Sequence, residues 1–169
     1  KYLNNLKTIL KQIKQIENLV NEFSDFARMP KPLFKPNNLD LIIKDNIILV
    51  NKFDKSITIR LINHLSKDLV LKFDNEQFNR LFFNLLKNSI ESIQEKVEKD
   101  SKTVKNIDIE IRQRRDYINV NIIDTGIGFK NKKTKDIIKP YFTTKEKGTG
   151  LGLSIVDKII SDHDGSIKF

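Results

Sequence analysis

Residues 148–160 read Gly-Thr-Gly-Leu-Gly-Leu-Ser-Ile-Val-Asp-Lys-Ile-Ile. Three glycines at alternate positions run straight into a stretch that predicts a helix from Ser154 to about Ser161. Glycine lets backbone N–H groups approach an anion closely, and a helix N-terminus adds unpaired donors and partial positive charge. The segment is thus a phosphate cradle or a flexible surface turn. Two familiar phosphate loops are excluded. A Walker A loop ends in Gly-Lys-Ser/Thr, and Leu151-Gly152-Leu153 does not. A dinucleotide fingerprint spaces its glycines G-x-G-x-x-G directly after a strand, whereas here the spacing is G-x-G-x-G after a lysine-rich loop.

Working back, Ile107, Ile109 and Ile111 alternate with polar residues, and so do Ile118, Val120 and Ile122. The polar joint Arg112–Asp116 between them predicts an antiparallel hairpin. Its second strand runs into Asp124-Thr125-Gly126-Ile127-Gly128. A strand-end carboxylate can accept from an exocyclic amine such as adenine N6, and the glycines leave room for a planar base; the same residues could also form a plain turn. Asp74, with Gln77 three residues on, predicts the capped start of a long helix. Phe78, Leu81, Phe82, Leu85, Ile93 and Val97 form its apolar side. Asn84, Asn88, Glu91 and Glu95 fall on another face. Asparagine is mildly unfavourable in mid-helix, and an amide oxygen suits Mg²⁺; two solvated asparagines are the plainer alternative. Further back, residues 38–53 carry a helical pattern, Ile57, Ile59 and Leu61 suggest a strand, and Leu69–Phe73 looks like its neighbour. A last short strand is expected at Ile167–Phe169.

Tyr2, Leu6, Ile9, Ile13, Ile16, Val20, Phe23 and Ala27 recur at alternate spacings of four and three. This heptad seam predicts one helix that packs on another. It ends at Met29-Pro30-Lys31-Pro32, because a residue before proline leaves the helical region. With Pro36 these prolines make a stiff joint, giving units 1–29, 30–37 and 38–169.

The 169-residue chain has 31 Lys and Arg against 22 Asp and Glu, a formal charge of +9. The lysines are spread along the chain without a basic stripe interleaved with aromatics, so nucleic-acid binding is not expected. No apolar run approaches the ~18 residues of a membrane span, and no contact of these residues with a membrane is expected. Cysteine is absent, which excludes disulfides and thiolate chemistry. His64 and His163 are the only histidines and lie far apart, so a histidine-rich metal site is not expected.

Taken together and in order, these motifs resemble the GHKL ATP-binding superfamily over about residues 38–169. Asn84–Ser92 is similar to its N box, Asp124–Gly128 to its G1 box, Pro140–Lys145 to its F-box region and Gly148–Leu153 to its G2 box. Within it, Pro140-Tyr141-Phe142-Thr143-Thr144-Lys145 and the glycine loop resemble two-component sensor histidine kinases. The run Glu22–Pro32 (EFSDFARMPKP) is similar to the NtrY type among nitrogen-regulation sensors. The resemblance implies a two-layer α/β sandwich, a mixed and mainly antiparallel sheet under helices, preceded by one long heptad helix. It implies ATP and Mg²⁺ as ligands. Asn88 would hold the metal and Asn84 would lie nearer the phosphates. Asp124 would read adenine, with Gly126 and Gly128 in the base pocket. Phe142 would anchor a lid carrying Thr143, Thr144 and Lys145, with Lys145 neutralising phosphate charge. Gly148, Thr149, Gly150, Leu151, Gly152 and Leu153 would wrap the phosphates.

The superfamily's ATPases typically have glutamate where Asn84 stands, and an amide cannot act as general base, which favours transfer to a protein acceptor over hydrolysis. Many sensor kinases carry a cationic residue where Glu91 stands, so Glu91 is given no phosphate contact. Neither histidine fits the family's phosphoacceptor motif. The resemblance therefore implies half of a dimerisation hairpin plus a catalytic domain lacking its last strand or strands. It implies γ-phosphoryl transfer to a histidine on another helix, then relay to a response-regulator receiver domain. The implied setting is a homodimer through the first helix, in the cytoplasmic portion of a membrane-bound sensor. A GHKL ATPase clamp and a non-catalytic coiled-coil module are the alternatives.

Overall fold

The computed structural model describes residues 2–66, 69–129, 133–143 and 148–169. The heptad stretch forms one helix, α1 (Tyr2–Ala27). Arg28 N still donates to Ser24 O, and the chain leaves the helix at Met29-Pro30. Along the seam Leu6, Ile9, Ile13, Ile16 and Val20 are exposed, Ile16 at 63%. Burying an exposed apolar side chain of this kind fully is worth up to about 1.5–3 kcal/mol, and along this stripe that burial is only partly made.

The proline-rich segment after α1 is tied into the body of the fold. β1 (Lys35–Asn37) pairs antiparallel with β3 (Leu71–Phe73), Pro36 opposite Lys72. This corrects the expectation that Leu69–Phe73 neighbours the strand at Ile57–Leu61. Pro36 lacks a ladder donor, but an edge strand tolerates that, so a stretch that reads as a joint can pair. Asn37 Nδ2 adds a bond of 2.8 Å to Phe73 O.

β2 (Thr58–Asn63) instead runs parallel to β4 (Asn106–Arg114), which pairs antiparallel with β5 (Tyr117–Asp124). The hairpin is as expected, closed by a two-residue turn whose first residue, Arg115, has φ 49°. On β4, Ile107, Ile109 and Ile111 are fully buried against the helices. The opposite face is solvated and ion-paired: Arg60 grips Asp108 at 2.6 and 2.9 Å, and Arg112 meets Glu110 at 2.5 Å. The hydrogen bond from Arg60 is the main reason the Asp108 carboxyl lies below its ordinary value.

The helical layer is α2 (Leu39–Val50), α3 (Asn75–Lys99) and α5 (Gly152–Asp162), with α3 packed between the other two. Ile43, Leu86, Ile93, Leu151, Val156 and Ile159 are fully buried and complete one core with the isoleucines of β4. A short helix, α4 (Thr134–Ile137), interrupts the lysine-rich loop, and the expected strand at Ile167–Phe169 has no regular structure. The result is a two-layer α/β sandwich with a mixed sheet, preceded by a long helix. Among the described residues no helix is long and apolar enough to cross a membrane.

Asp74 caps α3 as the sequence predicts, its Oδ1 accepting from Gln77 N at 3.0 Å. Gln77 does not return the bond as a capping box would. Its Nε2 reaches Pro30 O at 3.0 Å instead. The amide of Asp74 donates to His163 Nε2 at 3.1 Å, while His163 Nδ1 lies 2.8 Å from Ile159 O. These two partners fit the neutral ring protonated on Nδ1. Asp74 Oδ2 also accepts from Leu33 N at 2.8 Å, so one carboxylate ties the post-helix segment to α3.

Burial pushes the Asp74 carboxyl up, but backbone hydrogen bonds from Gln77, Leu33 and Glu76 outweigh it and hold it below its ordinary 3.8. Its stabilisation is therefore complete above that value and is lost as pH falls through the lower folded one. Asp74→Ala is expected to lower stability by about 1–2 kcal/mol at pH 7 in urea unfolding. The difference from wild type should shrink on acidification below the carboxylate range.

Candidate functional site

β5, α3 and the first turn of α5 converge on one cavity of about 750 Å³. Asp124 stands at the end of β5, its Oδ1 accepting from Gly126 N at 2.9 Å. This turn packs directly on α3. A Cβ at Gly126 would lie 2.1 Å from Ser92 Oγ, and Ile127 N donates to that same oxygen at 3.1 Å. Lys96 Nζ holds Thr125 O at 2.9 Å from the next turn of α3.

At the other end of the cavity, Asn84 and Asn88 project from successive turns of α3. Asn84 Nδ2 donates to Arg80 O at 2.9 Å, which leaves Oδ1 turned toward α5. A Cβ on Gly152 would lie 3.2 Å from Asn84 Oδ1 and 3.9 Å from Asn88 Nδ2, so the first turn of α5 sits against both amides. No side chain caps the start of α5. Gly150 has φ +70°, and a Cβ there would lie 2.5 Å from the Tyr141 carbonyl carbon. The loop closes against the backbone of Tyr141 and Phe142, and only glycine fits.

Of the residues the sequence singles out, Asn84, Asn88, Asp124, Gly128, Phe142, Thr143, Gly148, Thr149, Gly150, Gly152 and Leu153 line this one cavity. Gly126 lies beneath it against Ser92, and the Leu151 side chain is fully buried in the core. Thr144 and Lys145 lie outside the described residues. Glu91 and Glu95 line the cavity too, as their helical spacing with the asparagines requires; Glu91 lies 3.9 Å from Lys87 and Glu95 2.7 Å from Lys99. Ser89 and Ser92 also line it, although the sequence reading assigns neither a role. Ser92, one turn beyond Asn88, could have been found from that spacing. Glu22 on α1 also lines the cavity, and no sequence signal marks it. His64 and His163 are not among the lining residues.

The polar groups define two ends. Asp124 offers a carboxylate acceptor beside apolar walls from Val120, Ile122, Ile127 and Phe129. The far end offers amide groups of two asparagines, a glycine-rich loop and an uncapped helix start, which is chemistry for an anion and a hard cation.

Comparison with known proteins places the chain in a family. Residues 73–169 match the family described as histidine kinase-, DNA gyrase B-, and HSP90-like ATPase. The nitrogen regulation protein NtrY of Azorhizobium caulinodans is 34% identical over 161 residues, 95% of this chain and 20% of that protein. A putative sensor histidine kinase, NtrY-like, of Rickettsia felis is 32% identical over 162 residues, 96% of this chain and 26% of that one. The chain thus spans 20% and 26% of the length of these two curated relatives. Among solved structures, the nucleotide-free catalytic domain of histidine kinase ThkA superposes with a TM-score of 0.63 at 29% identity, covering 78% of this chain and 83% of that one. Full-length ShkA, solved with AMPPNP, gives 0.73 at 16% identity over 99% of this chain and 35% of that one, a likeness of fold alone. With the matched residues carrying the strand-end acid, the asparagine helix and the glycine loop around one cavity, the chain belongs to the histidine kinase-, DNA gyrase B-, and HSP90-like ATPase family.

Proposed function

We propose that the cavity binds ATP with Mg²⁺ and that the chain is the ATP-binding catalytic region of an NtrY-type sensor histidine kinase. The observation that carries this reading is the approach of Gly152 to both Asn84 and Asn88, with Asp124 at the opposite end of the same cavity. Asp124 accepts from the adenine amine, and Val120, Ile122 and Ile127 flank the ring. Gly148, Gly150 and Gly152 turn their amides to the phosphates, where Thr149 adds a hydroxyl. The amide oxygen of Asn88 fits a hard cation that takes its other ligands from phosphate and water, and Asn84 lies nearer the phosphates. Mg²⁺, when bound, offsets the charge of the phosphates. Asn84 cannot take a proton from water, which favours a protein histidine over water as acceptor. Lys145 would neutralise phosphate charge from the lid.

The acceptor histidine belongs to another helix, and the phosphoryl group passes on to a receiver-domain aspartate. The exposed seam of α1 supplies the surface for a homodimer. The setting is the cytoplasmic part of a membrane-bound sensor. The test is titration with a fluorescent ATP analogue, with and without Mg²⁺. Wild type should bind about tenfold more tightly with the metal, a difference of about 1.4 kcal/mol. Asn88→Ala should lose that increment and keep the metal-free affinity. Steady ATP hydrolysis abolished by Asn84→Ala would point to an ATPase instead.

A further inference from the structure

The phosphate end of the cavity already holds an anion. Glu22, near the C-terminal end of α1, lines it, although it lies 127 residues from Thr149 in the chain. Its Oε2 accepts a hydrogen bond from the Thr149 hydroxyl. That hydroxyl in turn accepts from the Leu151 amide at 3.4 Å. The loop that would receive phosphate oxygens thus donates, through Thr149, to a carboxylate carried on the first helix. The next residue reinforces the contact. The Phe23 ring stacks on Tyr141 with centroids 6.4 Å apart and planes 24° apart. The backbone of Tyr141 is the surface against which Gly150 closes. Helix, aromatic anchor and glycine loop form one contiguous assembly.

A carboxylate and a phosphate oxygen ask for the same donors, and two anions side by side repel. We infer that Glu22 is a built-in competitor for the nucleotide's phosphates. With Glu22 on Thr149 and Phe23 on Tyr141, α1 is docked over the phosphate end; a triphosphate entering the site displaces the carboxylate and frees the helix. Occupancy of the cavity and position of α1 are then linked in both directions: whatever pulls α1 away raises nucleotide affinity by the same factor that nucleotide raises undocking. The inference rests on reading the cavity as an ATP site and adds a regulatory element to it.

The test uses the whole chain and isothermal titration with adenosine, ADP and a non-hydrolysable ATP analogue, Mg²⁺ present throughout. Glu22→Gln keeps size and an acceptor but removes the charge; Glu22→Ala removes both. If the docked state holds about nine molecules in ten, apparent affinity is about tenfold below intrinsic. Both variants should then bind the ATP analogue up to about tenfold more tightly, ADP with a smaller gain, and adenosine as wild type does. A second readout uses the absence of cysteine. Spin labels on Lys14→Cys and Lys139→Cys should move apart when the analogue saturates wild type. Unchanged affinity for the analogue in both variants, an equal gain for adenosine, or a label distance indifferent to the analogue would each overturn the inference while leaving the ATP site standing. Failure of wild type to bind any of the three compounds would overturn the ATP reading and this inference with it.

Discussion

Asp124→Ala is expected to weaken binding of an ATP analogue by about 10- to 150-fold, the range of a hydrogen bond to a charged group, about 1.5–3 kcal/mol. Its effect on the fold should be small. The carboxylate also caps Gly126 N at 2.9 Å, and losing such a cap costs about 1 kcal/mol, a few degrees in thermal midpoint for a chain of this length. Asp124→Asn separates the two roles. Its amide oxygen can keep the cap, which turns an NH₂ donor toward the cavity where adenine also presents a donor. This variant should melt like wild type yet bind adenine nucleotides as poorly as the alanine variant. An inosine nucleotide presents an acceptor at the same position, so Asp124→Asn should prefer it over the adenine form. Competition titrations with the two nucleotides check this directly. Equal adenine affinity in all three proteins would remove Asp124 from base recognition.

The second large effect is on stability. Gly126→Ala places a Cβ 2.1 Å from Ser92 Oγ and 2.7 Å from the Ser92 carbonyl carbon. The serine hydroxyl can rotate, but the backbone of α3 at mid-helix cannot yield. Overpacking of this kind costs about 1–3 kcal/mol, and here it also threatens the bond from Ile127 N to Ser92 Oγ. Ser92→Ala alone should lose about 1 kcal/mol for that bond. In the double variant the two losses should be less than additive, because the hydroxyl contact has gone while the backbone contact remains. A four-way set of thermal melts measures this. Wild-type stability for Gly126→Ala would mean that the strand-end turn and α3 are not in contact.

Much of the sandwich is legible in the chain because its signals are local. Alternating isoleucines at 107–111 and 118–122 mark the hairpin, and Asp74 marks the start of α3. The asparagine face at four-three-four spacing is legible too, since helical geometry alone brings Asn84, Asn88, Glu91 and Glu95 to one side. What escapes is long-range. Lys35-Pro36-Asn37 carries no strand pattern, and its pairing with Leu71–Phe73 depends on the partner edge it finds across the fold. Gln77 reads as a capping partner because the motif is local, but its Nε2 donates to Pro30 O and the Asp74 amide donates to His163 Nε2 instead of Gln77 Oε1. Glu22 sits among the polar residues between the seam positions of an amphipathic helix, and nothing nearby in the chain distinguishes it from its neighbours.

The ties that anchor the segment after α1 also determine what motion can pass through it. Phe26 and Met29 pack on the core, Pro30 O is held by Gln77, Leu33 N by Asp74, and residues 35–37 are locked into a strand pair. These ties leave the junction little slack, so any swing of α1 away from Thr149 has to pivot about residues 26–37.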